Sequence, residues 1–280
     1  MPLRPSLLPY VLSCLIAAFV LSSCSHSGGS GGGNPVNNSY LASVKNIGQG
    51  ETLTDSFKYD DSKRVATYAQ YATNGTDSVH IMYNFHFSSN STLPDSYTYN
   101  YNDGVDDPHT LSFDGQGRVI KDTSLSDSHF VTYYAYSGNY VICRIFFAGD
   151  LNSDAFADTL VVTDGNMTGQ KVWGWDHGVG EWEDQGQVTY GHAAAANPAY
   201  KAEIANSVGP LLYVLSVYSL GGWADYISKG IINKVGGRAD GLPPGGVTYS
   251  VSTDGTGRVS AITPTGVGVP SGVRTEFTYY

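Results

Sequence analysis

The chain has 280 residues, a formal net charge of −10 and only 14% charged residues, against about 25% in an average soluble protein. The acidic balance argues against nucleic acid as a partner, because phosphate-binding surfaces need Lys and Arg. The 34 Gly and 21 Tyr residues favour strands joined by turns. The length is sufficient for one large β domain with a sizeable core.

The N-terminal segment has the features of a secretory signal. Arg4 supplies a positive charge, and residues 7–20 form an apolar run that is too short to span a bilayer as a helix. The run ends in Leu-Ser-Ser-Cys at residues 21–24, which resembles a bacterial lipoprotein processing site; an ordinary cleaved signal is the alternative. We therefore predict a signal at 1–23, a lipid on Cys24 that binds the membrane, and a flexible Gly/Ser tether over 24–39.

A repeated turn organises the rest of the chain. Asp-Gly-Gln-Gly-Arg-Val at 114–119 returns as Asp-Gly-Thr-Gly-Arg-Val at 254–259, and a looser copy, Asp-Asp-Ser-Lys-Arg-Val, stands at 60–65. Asp accepts hydrogen bonds from backbone N–H groups two residues on, Gly supplies a positive φ, and Val favours a strand. We interpret the three copies as structural β-hairpins whose Arg faces solvent, rather than as loops that bind a ligand.

Alternating residues predict an all-β domain over 40–280. In residues 79–87, apolar side chains alternate with His80, Met82, Asn84 and His86, and similar runs recur with turns every ten or so residues. This pattern is typical of an antiparallel meander, folded as a sandwich, a barrel or one large curled sheet. Residues 197–235 break it: Asn197-Pro198 can begin a helix, and apolar segments follow. We predict a helical insert there, with two or three short helices across the sheet or plugging its open end.

The order of these features resembles a family of uncharacterised lipoprotein domains from Bacteroidota-type bacteria that are described as having a porin-like fold. The matching features are the site at Cys24 with its tether, the hairpins at 59–65 and 254–259, the insert at Asn197-Pro198 and a final aromatic strand. The turns at 151–157 and 164–167 also match, except that Ala155 stands where the pattern has Gly. The hairpins are also similar to the Tyr-Asp repeats of large toxin-shell proteins.

This resemblance implies a porin-like or partly open barrel, without an activity to carry over. In such bacteria, acidic residues after the lipidated Cys favour export to the cell surface. Residues 25–29 contain none, which by analogy indicates an outer-membrane anchor facing the periplasm.

Four residues have the spacing of a calcium loop. Asp150, Asn152, Asp154 and Asp158 occupy positions 1, 3, 5 and 9 of such a loop. Position 6 should be Gly and position 12 a bidentate acid, but the chain has Ala155 and Val161 there. A polar hairpin turn is the alternative, so we predict no metal and no cofactor.

The remaining candidates for chemistry are isolated. His80 and His86 share a strand face but lie roughly 20 Å apart, too far to hold one metal. Cys143, in an apolar run, has the character of a buried hydrophobe. The acids near His177, at 176, 181, 183 and 184, are interpreted as a solvated loop.

Four Trp residues, Trp173, Trp175, Trp182 and Trp223, can belong either to the core or to a carbohydrate- or lipid-binding platform. Because no catalytic motif is present, our first hypothesis is a non-enzymatic, lipid-anchored envelope protein. It would bind or scaffold an envelope protein, glycan or lipid. The second hypothesis is an anchored glycan-active enzyme with a carboxylate pair, and the third is a transmembrane β-barrel.

Overall fold

The computed structural model describes residues 40–48, 50–89, 91–102, 104–126, 131–146, 155–176, 180–200, 209–218, 227–238, 245–266 and 272–280. The expected signal at 1–23, Cys24 with its tether, and Asp150, Asn152 and Asp154 lie outside these ranges. His177 and Trp223 lie outside them as well. Predictions that concern those residues stay predictions.

Strands dominate the described part of the chain, which confirms the all-β expectation. The first eight strands are β1 (Leu41–Ile47), β2 (Thr52–Tyr59), β3 (Val65–Thr73), β4 (Ser78–His86), β5 (Ser96–Tyr101), β6 (Asp107–Phe113), β7 (Val119–Ser124) and β8 (Val131–Ser137). They are followed by β9 (Tyr140–Phe146), β10 (Ala155–Thr163), β11 (Asn166–Asp176), β12 (Glu181–Ala196), helix α1 (Gly209–Tyr218), β13 (Gly230–Arg238), β14 (Val247–Thr253), β15 (Val259–Thr265) and β16 (Arg274–Tyr279).

The strands close into a single antiparallel barrel. Each strand pairs with the next one in sequence, and β1 pairs with β16 to complete the ring. Closure removes both free edges of the sheet. The sequence left open whether the sheet closes, and the β1–β16 pairing answers that question.

Two sequence interpretations need correction. The insert was expected to be helical to residue 235, but β13 begins at Gly230 and pairs with β12, so only α1 is helical in its described part. The acids at 181–184 were expected in a solvated loop, but they begin strand β12 and pair with β11. In both segments the cross-strand partner, which a local pattern does not reveal, determines the conformation.

The alternation of side chains gives the barrel two different walls. The inward residues of β4 are Ile81, Tyr83 and Phe85, and all three are buried. They belong to one contiguous cluster of buried side chains with members from nearly every strand, which a closed sheet can enclose only on its inside. Most outward residues are polar or small, such as Asn84 and His86 on the same strand.

Helix α1 lies in the lumen of this barrel. The side chains of Leu211, Leu212 and Val214 are buried and belong to the same cluster as the inward residues of the strands. The helix follows β12 in sequence, yet it contacts β9, three strands away around the ring. The expectation that the insert plugs the sheet is consistent with this position. No helix in the described ranges is both long and apolar enough to cross a bilayer.

The three repeated turns have the same geometry. In each copy the Asp backbone N–H donates to the carbonyl of the Arg four residues on, at 2.8–2.9 Å. Positive φ falls on Lys63, Gly117 and Gly257, and a bulge follows the same position of the preceding strand. The hairpin prediction is therefore confirmed for all three copies.

The Arg of each hairpin behaves differently from the expectation. It forms an ion pair with the Asp of its own turn, at 2.6–2.8 Å, and its guanidinium packs over an aromatic ring further along the chain. These rings belong to Phe87, Tyr136 and Tyr279, at 4.1–4.5 Å. The Arg side chains thus fasten the turns to neighbouring strands rather than simply facing solvent.

Candidate functional site

The inner wall contains three buried aspartates, each held by hydrogen bonds from neighbouring strands. Asp122 is fully buried and accepts a hydrogen bond from the Tyr97 hydroxyl at 2.6 Å. His109 Nδ1 lies 2.9 Å from the other Asp122 carboxylate oxygen, and its ring stacks on Tyr97. Three adjacent strands, β5, β6 and β7, supply this group.

The other two aspartates are each bonded by the amide of a glutamine. On β2 and β3, Asp55 accepts hydrogen bonds from Gln70 Nε2 at 3.0 Å and from the Tyr68 hydroxyl. On β10 and β11, Asp158 accepts from Gln170 Nε2 at 3.3 Å. The hydroxyl of Tyr190 donates to the other end of the same amide, at 2.7 Å.

These inner groups are closed off from water. Asp55, Asp122 and Asp158 are at most 1% exposed, and the hydroxyls of Thr132 and Tyr134 are buried without a hydrogen-bond partner in the described part of the chain. Burial raises the pKa of the Tyr134 phenol and of the Cys143 thiol well above their ordinary values. Around these three aspartates the barrel interior is filled by packed side chains. Many other 16-stranded barrels enclose a water-filled channel instead.

A row of side chains with different properties crosses the outer wall of the same strands. Backbone pairing places in one line the residues Lys121, Tyr133, Arg144, Ala157, Trp173 and Asp184, on β7 to β12. We call this line the outer row. Its members face outward because the next residues along β8, β9 and β10 (Tyr134, Cys143 and Asp158) are buried in the core.

The centre of the outer row is a guanidinium, that of Arg144, which has no carboxylate partner in the described ranges. Among the six arginines that the structure describes, the other five form ion pairs: Arg64, Arg118, Arg238, Arg258 and Arg274. Arg144 is exposed and forms neither an ion pair nor a side-chain hydrogen bond with any described residue. Because the other five described arginines form ion pairs, Arg144 is the described arginine most available to an external anion.

Aromatic rings lie on both sides of Arg144. Tyr133 is 37% exposed and contacts Phe146 edge-on, with the Lys121 ammonium 5.5 Å from its ring centre. Beyond the small Ala157, Trp173 carries the ammonium of Lys171 at 3.8 Å from its ring centre. Three strand spacings separate Tyr133 from Trp173, or roughly 14 Å. The row therefore alternates partly exposed rings with cations.

The far end of the outer row is neutralised. Asp184 forms ion pairs with Lys171 at 3.3 Å and with Arg238 at 3.1 Å. Partial desolvation acts to raise the pKa of Asp184, but the Lys171 bond, a backbone N–H and both cations outweigh it and hold that pKa below its usual value. Lys171 and Arg238 are thus neutralised by Asp184, whereas Arg144 and Lys121 form no ion pair with any described residue.

The structure separates most of the residues that the sequence had singled out. Asp158, the ninth position of the proposed calcium loop, is buried on the inner wall with Gln170. His80 and His86 share the outer face of β4, which lies three strands away from β7, where the outer row begins. In the described ranges, no three His, Cys, Asp or Glu side chains converge as a metal site requires.

The tryptophans and the cysteine have clear outcomes. Trp173 and Trp182 are partly exposed on the outer wall, so the core interpretation is wrong for these two. Cys143 is fully buried between Tyr134 and Asp158, as predicted. Sequence reasoning missed Tyr133 and Arg144. Their alternation with the buried Tyr134 and Cys143 carried the signal that both face outward, but their alignment with Trp173, across Ala157, depends on the register of the strands.

Comparison with known proteins finds two similar solved structures, and the first of them supports the fold. A porin-like protein from Bacteroides vulgatus is 13% identical, with a TM-score of 0.51, over 86% of this chain and 98% of the other. A porin-like protein from Bacteroides uniformis is 11% identical, with a TM-score of 0.48, over 86% of this chain and 96% of the other. No protein-family model matches the sequence, and no curated protein matches it.

Proposed function

We propose that this protein is a lipid-anchored component of the bacterial cell envelope that binds a partner through its outer wall and catalyses no reaction. The observation that carries the proposal is the contrast between the two walls. The inner wall is filled with buried side chains, whereas the outer wall presents partly exposed rings on β8 and β11 and, at Arg144 on β9, a guanidinium that forms no ion pair with any described residue. The sequence Leu-Ser-Ser-Cys at 21–24 supports the lipid anchor on Cys24.

The structure gives little support to the second hypothesis, a glycan-active enzyme. Such an enzyme needs two carboxyl groups that flank the substrate and exchange protons with it. The best-placed aspartates, Asp55, Asp122 and Asp158, are at most 1% exposed and accept hydrogen bonds from the protein itself. A sugar ring cannot reach them in this conformation.

The third hypothesis, a transmembrane barrel, conflicts with the polarity of the two walls. Membrane barrels carry an apolar band outside and polar side chains inside. Here the apolar residues point inward, and β2, β4 and β14 present to the outside Thr54, Ser56, Lys58, His80, Asn84, His86, Thr248, Ser250 and Ser252. We therefore propose attachment by the lipid at an outer membrane facing the periplasm.

Metabolic labelling with radioactive palmitate tests the anchor. We expect label in the wild-type chain and in a Cys14→Ala control, and none in Cys24→Ala, which should be released from the membrane fraction. A Cys24→Ala protein that still carries label, or that stays in washed membranes, would show that attachment does not depend on this residue. The binding role is tested separately, by retention of the Cys24→Ala protein on immobilised envelope fractions. No retention by any fraction would count against it.

A further inference from the structure

From the outer row we infer a binding site for an anionic polysaccharide, whose acidic groups pair with Arg144 while its sugar rings pack on Tyr133 and Trp173. The inference rests on the proposed binding role and specifies its ligand class. Arg144 is central to this site, because it alone among the described arginines forms no ion pair with a described carboxylate. A planar guanidinium binds a carboxylate or sulfate through two parallel hydrogen bonds.

The aromatic residues indicate a sugar polymer rather than a small anion. Tyr and Trp offer flat apolar faces next to a polar group, which suits the C–H faces of sugar rings. Tyr133 pairs directly with Arg144. Trp173 lies two strands beyond Arg144, and the small side chain of Ala157 lies between these two. The two rings are roughly 14 Å apart. A single sugar cannot contact both, but an oligomer lying along the row can.

Charge favours an acidic polymer over a neutral one. The chain carries a net charge of −10, yet Lys121, Arg144 and Lys171 bring three cations to one side of the barrel. Lys171 is already paired with Asp184, so Lys121 and Arg144 supply the attraction. At low salt this local field should also raise the rate of association.

Binding to a polyuronate tests the inference. The probe is polygalacturonate, titrated by calorimetry into the Cys24→Ala chain at low salt, with neutral dextran and phosphatidylglycerol vesicles as comparisons. We expect saturable binding of polygalacturonate, weak or no binding of dextran, and no binding of vesicles. Arg144→Gln should weaken polygalacturonate binding at least about fivefold, and Tyr133→Ala or Trp173→Ala by a similar factor.

Two matched variants control for charge and for aromatic area. Lys45→Gln removes one exposed cation on β1, and Tyr71→Ala removes a 45% exposed ring on β3. Neither should change the affinity more than about twofold. Equal losses in Lys45→Gln and Arg144→Gln would mean non-specific charge attraction and would overturn the site. So would preferential binding of vesicles, or no binding of polygalacturonate. The palmitate-labelling and envelope-retention experiments test the proposed function itself. Their results would not be affected by those outcomes.

Discussion

Strands β8 to β11 carry two rows of side chains, one on each face of the same sheet. The inner row, Tyr134, Cys143 and Asp158, is enclosed by the barrel. The outer row differs by a single residue step along each strand, yet its side chains other than Ala157 meet water, and its Arg144 forms no ion pair with any described residue. The comparison shows that counting the acidic residues in the sequence does not identify the surface that contacts a partner. Only the outer groups can contact a partner, because the inner ones serve packing.

The largest expected effect is the loss of an inner carboxylate. Asp122→Ala removes from a buried site the carboxylate that accepts the Tyr97 hydroxyl and contacts His109 Nδ1, while the 2.8 Å contact between Tyr97 and His109 remains. We expect a loss of roughly 3 kcal/mol or more in the free energy of unfolding, measured with urea. The matched outer-wall change, Asp184→Ala, breaks partly exposed ion pairs and one hydrogen bond from the Gly186 backbone N–H, and it should cost much less stability because exposed ion pairs contribute little. Equal effects on stability would break the comparison between the walls.

The three hairpins provide a test of intermediate size, because they serve the shape of the barrel. Lys63 has φ of 66° at the position where the other copies have Gly117 and Gly257. Lys63→Gly should therefore stabilise the protein by about 1 kcal/mol, and Gly257→Ala should destabilise it by about the same amount. No atom lies within 4 Å of a methyl group added at Gly257, so backbone strain alone is measured. A loss of polygalacturonate binding in Lys63→Gly would instead make that turn part of a binding site.

Acid should weaken the hairpins by a smaller amount. Hydrogen bonds from the Thr256 side chain and from backbone N–H groups, together with Arg258, hold the pKa of Asp254 below its ordinary value of 3.8. Because folding lowers the pKa of Asp254, the stability that its carboxylate contributes is fully present above pH 3.8. That stability is lost as the pH falls through the lower pKa of the folded protein. Asp254→Asn should therefore destabilise the protein more near pH 7 than near pH 2 in urea unfolding. Asp61→Asn, at an exposed neighbour of the first hairpin, is the matched control for replacing a turn carboxylate. An equal effect of Asp254→Asn at both pH values would contradict this account.

The hairpins and the fold class could be predicted from sequence, because local chemistry determines both. Asp and Arg define each turn within six residues, with Gly in two of the three copies, and period-two alternation marks strands wherever one face is buried. The sequence also indicated that Cys143 is buried, since it lies in an apolar run.

Features that depend on distant partners could not be predicted. Residues 230–234 are apolar enough for a helix, but pairing with β12 makes them a strand. The acids of β12 were assigned to a loop because the pairing of Glu181 with Asp176 depends on the register of the barrel. The outer row was missed for the same reason, because three strand pairings must be known before Tyr133, Arg144 and Trp173 fall into one line.

The reactivity of Cys143 tests the central claim, a dry inner wall, most directly. A chain with Cys14→Ser and Cys24→Ser has Cys143 as its one thiol, and a small water-soluble thiol reagent reports its access to water. Because the thiol is fully buried and its pKa is raised by burial and by Asp158, we predict that it reacts in urea but at least about a thousandfold more slowly in the native protein. Rapid stoichiometric reaction in the native protein would show that water fills the lumen, and would contradict the account.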